Sequence, residues 1–180
     1  LTLSLLLSST DVSGGTMSDR PTSSTHPIAT HQIDLNGLPS GFRHAAAVNS
    51  SDSFTVHVQA GTLDWALDEP EFMGGKGAAP DPVTSFLGAL CGCLLISLQI
   101  TARARHVPIA HATASAQANE KGFVKTIVVD LTVYSNASEE QLRIVVERAE
   151  KGCYIKGLLK ESIEYRLNLT IQPEAASSDL

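Results

Sequence analysis

Residues 82–105 read PVTSFLGALCGCLLISLQITARAR, and none of the residues from 83 to 100 is charged. The segment is too long for a strand, whereas roughly 20 residues of helix would span about 30 Å. A helix that is apolar on all sides lies in a membrane or at the centre of a soluble core. We therefore expect this helix to be buried on nearly every face, with Gly88, Ala89 and Gly92 letting another element approach it closely.

A membrane-spanning helix is the alternative, because the uncharged run has nearly the length that a bilayer requires. The run contains the polar residues Thr84, Ser85, Ser97 and Gln99, and no aromatic belt flanks it. The chain that follows is patterned as amphipathic strands and helix. These features favour the central helix of a soluble domain, covered by β-sheet.

The composition is that of a soluble globular domain. The chain has 180 residues, 43% hydrophobic and 18% charged, and a net charge of −6, which is typical of one domain with a sizeable core. Its 13 basic residues form no run, which argues against general nucleic-acid binding and favours small molecules or proteins as partners. Three cysteines are too few for a disulfide scaffold, so we expect a cytoplasmic protein.

The two ends of the chain are expected to lie outside the folded domain. Residues 1–40 are predicted to be a flexible leader, since Ser, Thr, Pro and Gly dominate it from Met17 onward. Met17 is interpreted as a native start, so residues 1–16 are left out of the prediction of the fold; they lack the basic residue that opens a signal peptide. The predicted domain covers residues 41–172, and residues 173–180 form a polar tail.

The pattern within the domain predicts separate runs of strands and helices. Asp81 or Thr84 is the expected N-cap of the long helix. Ser138 and Gln141 have the spacing of a capping box that begins a second helix, and Gly152 ends it. Around these helices we predict strands at 42–48, 54–60, 63–67, 109–118, 123–134 and 163–171, with a short helical turn at 155–161. Segregated runs of this kind indicate an α+β fold.

Three cysteines are the candidates for chemistry. Cys91 and Cys93 are two residues apart on a helix, so their side chains diverge by roughly 200° and cannot form a disulfide with each other. Cys153 follows the second helix, from where it could fold back onto the first. The pattern alone is equally explained by three small buried side chains. A metal site is disfavoured, because Cys-x-Cys on a continuous helix offers one ligand per face. The histidines are interpreted as strand or helix-end residues: His44, His57, His106 and His111.

The residues around Cys93 resemble those of a known family. Ala89, Leu90 and Cys93 form an Ala-Leu-x-x-Cys pattern, with Leu98 and Ala102 five and nine residues after the cysteine. This pattern resembles the apolar helix of the OsmC/Ohr family of osmotically inducible and organic hydroperoxide resistance proteins, and in particular its OsmC-like subgroup.

Two further segments support the resemblance. Residues 107–109, Val-Pro-Ile, stand where such proteins turn into a strand, and Gly152-Cys153-Tyr154-Ile155 stands where they carry a second cysteine, usually in a Cys-Pro-Ile sequence. The resemblance covers about residues 40–172. It implies an OsmC-like fold in which antiparallel sheets wrap around the long central helices of a swapped, intertwined homodimer.

The resemblance also implies a function and its residues. Cys93 would be the peroxidatic cysteine of a thiol-dependent peroxidase that reduces organic hydroperoxides, and Cys153 would be the resolving cysteine. A dithiol reductant would restore both, with no cofactor and no metal. Cys91 matches a small-residue position of the family and is interpreted as packing.

One departure from the family pattern concerns the group that holds the thiolate. Active hydroperoxide reductases of the family use an arginine near the N-terminus and the glutamate of an Asn-Pro-Glu segment, where this chain has Asp81-Pro82-Val83. Arg43 is the only arginine of the first hairpin that could serve. Cys93 itself lies some ten residues inside its helix, too far for the dipole of the helix N-terminus to act.

This departure leaves a second functional hypothesis open. A relative without the carboxylate could be a non-catalytic dimer that binds a small apolar ligand, with its cysteines merely buried. A third hypothesis, group transfer or hydrolysis by a Cys–His pair, finds no histidine with a reason to lie near Cys93.

Overall fold

The computed structural model describes residues 43–49, 53–119 and 123–174. The predicted leader and all but the first two residues of the predicted tail lie outside these residues. Within them the chain is α+β, as predicted. The elements in chain order are β1 (Ala46–Asn49), β2 (Val56–Ala60), β3 (Leu63–Leu67), a 3-10 turn (Glu71–Met73), α1 (Pro82–Ala104), β4 (His111–Ala118), β5 (Thr126–Tyr134), α2 (Glu139–Lys151), α3 (Tyr154–Gly157) and β6 (Glu164–Gln172).

Strands β1, β2 and β3 form an antiparallel sheet in that order, which confirms the predicted hairpin and the short third strand.

A buried aspartate, Asp68, organises the loop that leads to α1. Its carboxylate accepts hydrogen bonds from the backbone N–H groups of Glu69, Lys76 and Ala78 at 3.0–3.2 Å. A Cβ at Gly75 would lie 1.8 Å from the carbonyl oxygen of Glu69, so only glycine fits there. The hydrogen bonds from backbone N–H groups to Asp68 thus fix the conformation of the loop that precedes α1.

Helix α1 begins and ends as its sequence predicts. The carboxylate of its N-cap, Asp81, accepts a hydrogen bond from the backbone N–H of Thr84 at 2.9 Å, and Pro82 takes the first helical position. Arg103 lies in the last turn, where a cation complements the carbonyl end of the helix. His106, with φ 54°, turns the chain away from the helix axis.

Strands β4, β5 and β6 form the second sheet. Strands β4 and β5 are an antiparallel hairpin, but β5 and β6 run parallel. The difference from the predicted purely antiparallel sheets has a topological cause: α2 and α3 lie between β5 and β6 and carry the chain back to the end of the sheet from which β5 starts. Helix α2 begins with the predicted capping box of Ser138 and Gln141.

The hydrophobic core lies between the second sheet and the two long helices. Helix α1 contributes Leu90, Leu94, Leu98 and Ala102, and the side chains of β5 and α2 meet them. The inward positions of β4 are small, which lets α1 lie close to the sheet: Ala112, Ala114, Ala116 and Ala118. Among the described residues, no side chain of the first sheet belongs to this core.

The opposite face of α1 is open, so the expectation of burial on nearly every face is wrong for a single chain. Ile96 and Ile100 are 62% and 64% exposed, and a Cβ at Gly88 or Gly92 would have nothing within 4 Å. The second sheet and α2 cover only one side of the helix, which explains the difference.

Within the described residues α1 is the one helix that is long and apolar enough to cross a membrane by length and composition. Core helices of soluble proteins also pass this test.

Candidate functional site

Cys93 and Cys153 meet beside the α2–α3 turn. Cys93 is half-buried in the middle of α1, and Cys153, only 3% exposed, lies between the end of α2 and the start of α3. The packing of α1 against α2 places the two thiols close enough for each to shift the pKa of the other. Both are free thiols. The structure therefore brings together the two cysteines that the sequence analysis singled out.

The environment of Cys93 favours its thiolate. Burial alone would raise the pKa of Cys93, but hydrogen bonds outweigh it and lower that pKa below its ordinary value. The donors are the backbone N–H of Ile155, the thiol of Cys153, the backbone N–H of Tyr154 and the hydroxyl of Ser97. A lowered pKa increases the thiolate fraction of Cys93, and the thiolate is the reactive form of a cysteine.

Cys153 has the opposite character. Burial raises the pKa of the Cys153 thiol, the backbone N–H of Lys156 acts against burial, and the neighbouring Cys93 sulfur raises the pKa further. Cys153 therefore stays protonated while Cys93 ionises. One thiolate and one thiol side by side are the arrangement in which one sulfur can attack a substrate and the other can attack the product.

Cys91 lies on a different face of α1 from Cys93, within electrostatic reach of the half-buried phenol of Tyr165 on β6. Burial raises the pKa of Cys91. Burial also raises the pKa of Tyr165, and the negative charge of Glu150 adds to that rise. The raised pKa values favour the protonated forms of Cys91 and Tyr165, and the packing role of Cys91 stays a prediction.

Arg43 is not brought to the thiols within one chain. It is exposed, just before β1, and it makes no hydrogen bond or ion pair with residues 43–49, 53–119 or 123–174. Asp81 is engaged as the N-cap: its carboxylate also accepts a hydrogen bond from the hydroxyl of Thr84, at 2.5 Å. This hydroxyl, followed by the Thr84 backbone N–H, lowers the pKa of Asp81. Val83, in the first turn, offers no carboxylate, so the role of Arg43 remains a prediction.

Two of the histidines have other surroundings. His111 stacks on Tyr134 with ring centroids 4.0 Å apart, and His106 follows the end of α1, ~20 Å along the axis from Cys93. In the part of the chain that the structure describes, no group of three or more His, Cys, Asp or Glu side chains could hold a metal ion.

Comparison with known proteins assigns the family. The model of the OsmC-like protein family matches residues 75–168, which is more than half of the chain and includes α1, both cysteines of the site, β4, β5 and the first part of β6. This chain belongs to the OsmC-like family. A search of curated proteins gives no significant match to this OsmC-like protein.

Solved structures share its fold. An OsmC-like protein from Mycoplasma pneumoniae is 17% identical with a TM-score of 0.66, covering 74% of this chain and 99% of that one. An organic hydroperoxide resistance protein OsmC from Legionella pneumophila is also 17% identical, with a TM-score of 0.58 and the same coverage. An organic hydroperoxide resistance protein from Elizabethkingia anophelis, with thiocyanate bound, is 19% identical with a TM-score of 0.59, covering 72% and 96%. At these identities the likeness establishes the fold.

Ser97 is a member of the site that was not predicted from the sequence. Ser97 lies one helical turn after Cys93, and its hydroxyl is within hydrogen-bond reach of the Cys93 sulfur and of the Gly152 carbonyl oxygen, 3.4 Å away. The spacing of four residues, which puts two side chains on one helix face, was the available signal. The Ser97 hydroxyl thereby lies between Cys93 and the end of α2.

Replacing Ser97 by alanine should raise the pKa of Cys93 in this OsmC-like protein, because one donor to the thiolate is lost. The pH midpoint of Cys93 alkylation by iodoacetamide, followed by peptide mapping, would move to higher pH. Ser85→Ala is the matched control, since the buried Ser85 hydroxyl on the same helix has no hydrogen-bond partner among the described residues. An unchanged midpoint in Ser97→Ala would mean that the Ser97 hydroxyl donates to Gly152 alone.

Proposed function

We propose that this OsmC-like protein is a thiol-dependent peroxidase that reduces organic hydroperoxides, with Cys93 as the nucleophile and Cys153 as the resolving cysteine. The observation that carries the proposal is the contact between the two thiols, in which the pKa of Cys93 is lowered and that of Cys153 is raised. The names of the Legionella and Elizabethkingia proteins, which share the fold, support the same chemistry.

The reaction has two steps on the protein. The Cys93 thiolate attacks the terminal peroxide oxygen, the O–O bond breaks, and the alkoxide leaves and takes up a proton as the alcohol. Cys93 is then a sulfenic acid. The Cys153 sulfur attacks the Cys93 sulfur, the S–O bond breaks, and the hydroxyl leaves with the Cys153 proton as water. A dithiol reductant reduces the Cys93–Cys153 disulfide and is itself oxidised to a disulfide.

The proposal includes a homodimer. The open face of α1 and the exposed side chains Leu63 and Trp65 of the first sheet are apolar surfaces that a second copy would cover. In such a pair the first sheet of one copy could bring Arg43 toward Cys93 of the other. Tyr154 and Leu158, both exposed on the α3 side of the thiols, would offer an apolar approach that favours alkyl or lipid hydroperoxides over hydrogen peroxide.

The cycle needs a compartment that keeps thiols reduced. Cys93 and Cys153 return to the active state only if a reductant is present, and such conditions are those of the cytoplasm. We therefore propose a cytoplasmic protein that works with a dithiol reductant.

A non-catalytic dimer that binds a small apolar ligand is the second candidate. Val83 stands where the active family members carry a glutamate, and the nearby Asp81 carboxylate is engaged by Thr84. An arginine brought to this site would then lack a carboxylate to orient it. In this candidate Cys93 and Cys153 would be packing residues.

The test is the number of free thiols before and after one equivalent of an alkyl hydroperoxide, followed by peptide mapping. We expect rapid loss of two thiols and a peptide linked through Cys93 and Cys153. Cys91→Ser should react in the same way, which controls for the third thiol. No thiol loss within minutes would reject the peroxidase and favour the ligand-binding dimer.

A further inference from the structure

One ion pair near the thiols differs from the others in its burial. The ammonium of Lys156, on α3, lies 2.5 Å from a carboxylate oxygen of Glu150, in the last turn of α2, and the two side chains are 30% and 25% exposed. Among the described residues the other ion pairs have side chains more than half exposed, where solvent screens such a pair strongly. Because the Glu150–Lys156 pair is less screened by solvent than the other pairs, it is the one best able to hold two elements together.

The pair spans the resolving cysteine. Glu150 and Lys156 stand three residues before and after Cys153, and the Cys153 backbone N–H donates to the Glu150 carbonyl oxygen at 3.3 Å. The Lys156 ammonium also lies 5.0 Å from the ring centroid of Tyr165 on β6, within the range of a cation–π interaction. The side chain of Lys156 thus ties α3 to α2 and to the second sheet.

The backbone that this pair fixes is the backbone that faces the two sulfurs. The backbone N–H groups of Tyr154 and Ile155 lie close enough to the Cys93 sulfur to lower the pKa of that thiol, and the N–H of Lys156 acts in the same way on Cys153. Helix α3 is only four residues long. A helix this short is not stable by itself, so its orientation depends on the contacts at its ends.

We propose that the Glu150–Lys156 ion pair is a positioning device of the thiol site, which holds α3 so that the N–H groups of Tyr154 and Ile155 remain directed at the Cys93 sulfur. The inference rests on the proposed function in so far as it treats Cys93 as the nucleophile. Neither Glu150 nor Lys156 needs to touch the reacting atoms, because both act through the backbone of α3.

Glu150→Gln separates positioning from a direct effect of charge. If charge alone mattered, removing the Glu150 anion would stabilise the Cys93 thiolate and lower the pKa of Cys93. If the ion pair positions α3, the same substitution loosens the N–H donors and raises that pKa. The two explanations therefore predict shifts of opposite sign.

The measurement is the pH dependence of Cys93 alkylation in a Cys91→Ser, Cys153→Ser background, where serine keeps a hydroxyl donor at position 153. The remaining ionisable groups around the site are Glu150 on α2, Lys156 on α3 and Tyr165 on β6. Burial, with the nearby negative charge, keeps the Tyr165 phenol protonated over a range of about pH 5 to pH 10. The titration therefore reports the Cys93 thiol.

In Glu150→Gln we expect the midpoint to rise by about half a pH unit, which slows alkylation about threefold below both midpoints. Lys156→Gln should raise it as well, and the exchange Glu150→Lys with Lys156→Glu should bring it back toward the parent value. Glu147→Gln, which breaks the exposed pair with Lys151 on the same helix, should leave it unchanged. The proposal is overturned if the pH midpoint of Cys93 alkylation is unchanged or lower in Glu150→Gln. If Glu150→Gln does not fold, an unchanged midpoint in Lys156→Gln overturns it instead. Alkylation needs no peroxide, so this outcome is independent of whether the protein is a peroxidase.

Discussion

Replacing Cys153 by serine is expected to abolish peroxidase turnover and to preserve one oxidation of Cys93. The serine hydroxyl cannot attack the sulfenic acid to form a disulfide, so the cycle stops after the first oxygen transfer. The alcohol product should appear once per chain, and continued consumption of hydroperoxide in the presence of a dithiol should fall to the uncatalysed rate. The Cys93 sulfenic acid can be trapped with dimedone and located by mass spectrometry.

Two comparisons make this experiment decisive. Cys93→Ser should lose even the single oxidation, because the thiolate that attacks the peroxide is gone, and Cys91→Ser should retain full turnover. If Cys153→Ser turns over at the parental rate with the same reductant, then resolution does not pass through Cys153. If neither Cys93→Ser nor Cys153→Ser changes any reaction with hydroperoxides, the ligand-binding dimer becomes the better explanation of the buried thiols.

Replacing Gly92 by phenylalanine is expected to halve the molecular mass in solution, because it places a large side chain on the open face of α1. Within one chain nothing lies within 4 Å of a Cβ at this position. Replacing glycine inside a helix also favours folding by up to about 1 kcal/mol. The substitution is therefore harmless to a single chain and harmful only if a second copy packs closely there.

Light scattering coupled to size-exclusion chromatography gives the mass directly. Glu140→Phe, which adds the same ring to the exposed surface of α2, should keep the parental mass and controls for added hydrophobic surface. Ile96 and Ile100 are expected to become exposed in the Gly92→Phe monomer, and burial of such a side chain is worth ~1.5–3 kcal/mol, so the monomer should also unfold at lower temperature. A parental chain that is already monomeric, or a Gly92→Phe variant that remains dimeric, would contradict the intertwined dimer.

The sequence predicts most of the elements because their signals are local. The capping box of Ser138 and Gln141, the N-cap at Asp81 and the apolar run of α1 each depend on residues within a few positions of one another, and the structure has them where the pattern indicates. The parallel pairing of β5 and β6 has no such signal. It follows from the route of α2 across the sheet, which the period of hydrophobic residues does not encode.

The residues of the site likewise divide into those with a local sequence signal and those without one. Cys93 and Cys153 were identified from motifs, whereas Ser97 and Glu150 were not, because nothing in their sequence neighbourhood marks them as facing a sulfur. Helix spacing would have sufficed for Ser97. For Glu150 only the folded chain reveals that its carboxylate forms an ion pair with the ammonium of Lys156.

By itself the sequence determined a long uncharged helix with two cysteines, a second helix that ends at a third, and an α+β order of elements. The period of the hydrophobic residues, the capping residues and the positions of the glycines carry that information, because each of these signals depends on residues that are close together in the sequence. Only the tertiary structure decided that Cys93 carries the lowered pKa and Cys153 the raised one. Backbone N–H groups from α3, sixty residues away from Cys93 in sequence, hold the Cys93 thiolate, and a hydrogen bond between such distant segments exists only once α1 and α2 have packed together.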